Sequence, residues 1–185
     1  MRLTTLAIMA AAALCGLTGA VQAGPTATCY INDGYGISAV PDGLEANDII
    51  SVQRKSSPQQ AVMCPLPADE ADLVLGEGDF GLHYVDLVAD HLVLERSTGP
   101  VGDVVVVDLR SGKTILEAPA ASYQYTSDDG IHYSERREDG TAETCDSFEE
   151  LTALGLGTAI AYDMVLNLET GKTTETGTVS CEGVS

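Results

Sequence analysis

Three histidines, His83, His91 and His132, are the side chains whose charge changes near neutral pH. A hydrolytic relay would set one of them beside a serine and a carboxylate. A zinc site would pair them at short, regular spacing. No HExxH or other close pair occurs, and each histidine falls in a strand-like stretch, where a half-exposed sheet residue is the plain reading. There is no GxSxG elbow and no SxxK. Carboxylates are abundant: Asp69, Glu70 and Asp72 form one run, Asp86 and Asp90 flank a strand end, and Asp128-Asp129 occupy a turn. A glycosidase needs two of them about 5–10 Å apart across a cleft, and chain spacing does not supply that geometry. Asp33-Gly34, Asp128-Asp129-Gly130 and Asp139-Gly140 lack the alternating oxygen ligands and closing Glu of a calcium loop, and turn formation accounts for them. Gly155-Leu156-Gly157 lacks the third glycine of a phosphate loop and follows a helical stretch, while Gly76-Glu77-Gly78 is flanked by acids that repel phosphate. The sequence therefore nominates no catalytic residue, no cofactor-binding residue and no metal ligand.

The cysteines carry more information. Arg2, the apolar run Leu6–Leu14 and the small-residue site Val21-Gln22-Ala23 read as an export signal over residues 1–23, cleaved between Ala23 and Gly24. The run is shorter than the roughly 20 residues of a membrane helix and is followed by Gly16 and Gly19. Leu14 directly before Cys15 departs from the small residue that precedes a lipid-modified cysteine. Of the five cysteines, Cys15 leaves with the signal, and Cys29, Cys64, Cys145 and Cys181 remain. An even number in an exported chain reads as two disulfides. Three pairings exist; Cys29–Cys64 with Cys145–Cys181 is favoured because each closes a loop of similar length within its own half. Each such loop is worth roughly 3–4 kcal/mol in the chain-entropy picture. The absence of a CxxC pair argues against a four-thiolate zinc site.

The elements that would position these residues read as strands. Residues 24–66 hold short apolar stretches at Cys29–Ile31, Tyr35–Val40 and Ile49–Val52, separated by Asn32-Asp33-Gly34 and Pro41-Asp42-Gly43. Residues 79–120 hold four strands: Gly81–Val88, His91–Glu95, Val104–Leu109 and Thr114–Ala118. Val104–Val107 is unbroken apolar sequence, which predicts a strand covered on both faces. Residues 122–181 repeat the plan with Ser122–Thr126, His132–Arg136, Ile160–Leu168 and Thr173–Val179. Extra chain enters at Asp139–Gly157. There Ser147 with Glu150 reads as a capping box and Gly155 as a stop, predicting one short helix near 147–154 with Cys145 at its entrance.

Asp108-Leu109-Arg110-Ser111-Gly112-Lys113-Thr114 matches Asn167-Leu168-Glu169-Thr170-Gly171-Lys172-Thr173. This strand–turn–strand unit resembles the outer hairpin of β-propeller blades, over residues 79–181. The resemblance implies four-stranded antiparallel blades and nothing about activity. No WD dipeptide is present, and a closed propeller takes at least about four blades where this chain has room for three. The expectation is a mainly β protein of antiparallel sheets, built from two or three blade-like hairpin units in a single exported domain over 24–185.

Charge bounds the partners. Nine Lys and Arg face 28 Asp and Glu, for a formal net charge of −19, and the signal removes only Arg2 from that count. Nucleic acid and anionic membrane surfaces are poor partners for such a chain. With no Trp and two Phe, sugar-stacking platforms are scarce, although seven Tyr remain. The expectation is a periplasmic or secreted, cofactor-free binding module that captures a basic protein without catalysis, for example by inhibiting a basic lysozyme. The competing readings are an envelope hydrolase and an accessory subunit of an envelope assembly. Adaptation to high salt would give the same acid excess with no specific partner. Loops at sheet ends commonly carry function, so the turns Asp128–Gly130, Ser111–Lys113 and Thr170–Lys172 are the first candidates for a binding surface.

Overall fold

The computed structural model describes residues 26–43, 47–97 and 102–184. The expected signal and its expected Ala23–Gly24 cleavage site lie outside the described residues, as does most of the Ser97–Pro100 turn. The chain is mainly β, in three four-stranded antiparallel sheets. The first sheet is β1 (Thr28–Ile31), β2 (Tyr35–Asp42), β3 (Asn47–Arg54) and β4 (Leu73–Leu75). The middle sheet is β5 (Leu82–Val88), β6 (His91–Ser97), β7 (Gly102–Asp108) and β8 (Lys113–Ala118). The third is β9 (Ala121–Ser127), β10 (Gly130–Asp139), β11 (Gly157–Asn167) and β12 (Lys172–Val184). Each sheet is ordered as its strands follow in the chain.

Alternation of side chains explains how the sheets associate. Successive residues of a strand point to opposite faces. On the middle sheet, Leu92, Leu94, Val105 and Val107 join a core with Ile37, Ile50 and Val52 of the first sheet. Val93, Val104 and Val106 join a second core with Ile131, Tyr133 and Leu166 of the third. The pairings Leu92↔Val107, Val93↔Val106 and Leu94↔Val105 place matched residues on each face. Val104–Val107 are at most 4% exposed, so this run sits between two cores. The accessory-subunit reading looked to it for an exposed edge or patch and loses that support.

The outer sheets are finished differently. The chain between β3 and β4 folds back on the first sheet, where Val62 seats over Gly36; a Cβ there would lie 2.3 Å from Val62 Cγ1. Leu66 of the same segment is buried, and Cys64 is joined to Cys29 of β1, with Cα atoms 6.1 Å apart. In the third sheet the interruption falls between β10 and β11. There Thr158 Oγ1 donates to the Gly140 carbonyl (2.8 Å), and Cys145 is joined to Cys181 of β12, with Cα atoms 5.3 Å apart.

Three local expectations need correction. The first unit does not end at residue 66, since its fourth strand is Leu73–Leu75; three residues behind an acidic run are too short to show a period. β12 passes Val179 and ends at Val184, continuing its pairing with β11 beyond a bulge opposite Asp163 that includes Gly177 at φ 88°. The helix α1 (Phe148–Ala153) forms, but Ser147 makes no side-chain cap. Its φ −93° and ψ 8° leave the extended conformation that an N-cap uses. The stop is as expected: Leu156 N donates to Leu151 O, Gly155 N donates to Thr152 O, and Gly155 has φ 78°. That is the glycine-dependent double hydrogen bond that ends many helices.

Candidate functional site

The two repeated turns have one geometry. Gly112 N donates to Asp108 O and Gly171 N to Asn167 O, each at 2.8 Å. The side chain at the first position then holds the turn. Asp108 accepts from Arg110 N (3.0 Å) and Ser111 Oγ (2.7 Å), while Asn167 Oδ1 accepts from Thr170 N and Thr170 Oγ1, both at 2.8 Å. The Ser111 hydroxyl is the main reason the Asp108 carboxyl lies below its ordinary pKa. Asn32 Oδ1 does similar work in the first sheet, accepting from Gly34 N and Tyr35 N, which accounts for the Asp33-Gly34 pair as a turn.

Of the three candidate turns, the structure brings two together. Asn167 Nδ2 donates to the Asp129 carbonyl (3.4 Å), and Gly130 packs so closely that a Cβ would lie 2.0 Å from Leu166 O. Ser111–Lys113 instead borders a groove beside Arg54, between the first and middle sheets.

The Asp128–Gly130 turn also gathers Ser127, Asp129 and His132. Ser127 Oγ lies 2.7 Å and Asp129 Oδ1 3.0 Å from the same ring nitrogen, His132 Nε2, and Ser127 Oγ donates to Asp129 Oδ1. The Ser127 hydroxyl, followed by His132, holds the Asp129 carboxyl below its ordinary pKa. A nucleophile relay needs serine on one ring nitrogen and the acid on the other. Here both address Nε2, so the cluster closes a turn and does not form that relay. Tyr125 stacks on the His132 ring at 4.2 Å. The other histidines lie elsewhere: His83 Nδ1 is 3.6 Å from Asp48, and His91 is buried at the start of β6. The His91 Nδ1 atom has no hydrogen-bond partner among the described residues, and burial pushes the ring's pKa down.

An acidic stretch runs from the end of β10 into the insertion between β10 and β11. Glu138 and Asp139 of β10 and Glu143, Asp146, Glu149 and Glu150 after it are all exposed, and residues 138–156 contain no Lys or Arg. Helix α1 buries none of its residues. The Cys145–Cys181 bond fixes this acidic segment to β12. Sequence reasoning found the helix and the cysteine but did not single out this density of exposed carboxylates. A window of charge along the chain would have shown it. It also passed over Arg54, whose neighbours come from strands far apart in sequence.

No protein-family model matches this chain, and no curated protein sequence matches it. The fold and the two disulfides define a mainly β chain of the kind stabilised where thiols are oxidised. No helix among the described residues is long and apolar enough to cross a membrane.

Proposed function

We propose that this protein is a periplasmic or secreted binding module that captures a cationic protein without catalysis. The observation that carries this reading is the disulfide-fixed segment Glu138–Glu150, with six exposed carboxylates and no basic residue. A fixed field of one sign steers a basic partner toward it and weakens as salt screens the charges. A segment held covalently gives up little conformational freedom when a partner docks. Two disulfides, with an N-terminal stretch that reads as an export signal, support an oxidising, extracytoplasmic compartment.

The test is a titration of the purified protein with a basic lysozyme, reading both association and cell-wall lysis. The reading expects association at low ionic strength that weakens severalfold by about 0.15 M salt. It also expects a larger loss when Glu143, Asp146, Glu149 and Glu150 become Gln or Asn than when four carboxylates elsewhere are neutralised. Equal effects of the two sets would remove the segment from the account. Association with unchanged lysis would leave capture and discard inhibition.

A further inference from the structure

Cations are scarce in this chain, so the partner of each is informative. Among the five described arginines, four hold carboxylates: Arg96 with Glu117 (2.6 Å), Arg110 with Asp108 (3.4 Å), Arg136 with Glu182 (2.8 Å) and Arg137 with Glu135 (3.1 Å). Arg54 holds none among the described residues. Its Nη2 donates instead to the backbone carbonyls of Leu109 (3.1 Å) and Arg110 (3.2 Å). Those bonds orient the guanidinium across the gap between the first and middle sheets without neutralising it.

The gap is a groove of about 360 Å³, within the range of small-molecule sites. Val52, Leu73 and Leu109 give it apolar walls. The Tyr35 hydroxyl lies beside Arg54 and keeps its proton, its pKa raised chiefly by burial. Arg110 stands on the rim and is shared with Asp90 and Asp108. Asp72 also lines the groove, accepting from the Arg54 backbone N at 2.6 Å. These acids limit the charge of any ligand. A dianion meets repulsion from Asp72, Asp90 and Asp108, whereas one carboxylate is matched by Arg54, the described arginine that no carboxylate neutralises, through a guanidinium N–H that the Nη2–carbonyl bonds leave.

We propose that this groove binds a small organic monocarboxylate, its acid group paired with the Arg54 guanidinium and its apolar body against Val52, Leu73 and Leu109. The inference goes beyond capture of a cationic protein and does not depend on it, since it uses the opposite charge, between the first and middle sheets and away from the third sheet's acidic segment.

The test is a titration of the full protein with hexanoate, followed by backbone amide shifts, alongside hexanamide and hexyl phosphate. The expected result is saturable shifts at Leu73 and Leu109–Gly112 with hexanoate, and binding weaker by about tenfold or more with hexanamide and in Arg54→Gln. The hexanamide comparison uses the unaltered protein, so it decides the matter even if the variant is destabilised. No saturable shift at these amides, equal binding of hexanamide, or tighter binding of hexyl phosphate would each overturn the proposal.

Discussion

The β7–β8 and β11–β12 hairpins share their turn, yet five of the seven residues of β7 are buried while the first nine residues of β12 are exposed. The first strand belongs to a sheet covered on both faces, whose connections are short and which contains no disulfide. The second lies at the edge of a sheet that has an apolar core on one side only and is tied by Cys145–Cys181. The first sheet follows the third in this, with its own tethered segment held by Cys29–Cys64. Where two neighbours supply apolar cover, side-chain burial is enough. Where one neighbour is missing, the chain adds a flap and fastens it with sulfur. The same outer position leaves the third sheet's insertion free to carry charge, which a doubly covered sheet has no room to do.

This contrast is open to attack by mutation. The largest effect is expected in the middle sheet: Leu92→Ala should destabilise the protein by about 2–5 kcal/mol in urea unfolding. Val179→Ala on β12 should change it by less than about 0.5 kcal/mol. Comparable losses would erase the distinction. Replacing Cys145 and Cys181 together by Ser should cost about 2–4 kcal/mol. Amide exchange should then accelerate in residues 140–156 well before β6 and β7 respond. Gly36→Ala should cost about 1–3 kcal/mol by pushing Val62 off the first sheet, with faster exchange in residues 55–62 as its signature.

Much of this architecture could be read from the residues because it is local. Val104–Val107 announces a strand covered on both faces. The Asp108–Thr114 and Asn167–Thr173 copies announce two like hairpins, and Gly155 marks a helix end through its own backbone. What escaped is what depends on distant chain. Leu73–Leu75 is a strand only because β3 stands ready to pair with it. Ser147 and Glu150 have the spacing of a capping box, but the preceding turn, in which Phe148 N donates to Cys145 O, holds Ser147 out of the capping conformation. The groove at Arg54 needs Leu109 and Arg110, residues that no spacing rule connects to it. The turns chosen as a binding surface divide for the same reason, two meeting across β10 and β11 and one facing the first sheet.

Two smaller effects sharpen the comparison. His91, at the start of β6, is held neutral by burial. The unfolded histidine takes a proton near pH 6.5 that the folded one refuses. Its contribution to stability is therefore complete above that pH and is lost as pH falls below it. His91→Gln should flatten the stability–pH curve in that window while leaving the fall near pH 4 and below, where Asp108 and Asp129 protonate. The smallest effect belongs to Ser147→Ala. Its hydroxyl caps nothing, so the cost should stay below about 0.5 kcal/mol, against roughly 1 kcal/mol for a working N-cap.

The division of one sheet between two cores is tested most directly by methyl NOEs in a sample with Val, Leu and Ile methyls labelled. Val105 and Val107 should show contacts to Ile37, Ile50 and Val52, and Val104 and Val106 contacts to Ile131 and Leu166, with no crossing of the two sets. Contacts from Val104 and Val105 to the same neighbours would contradict the arrangement.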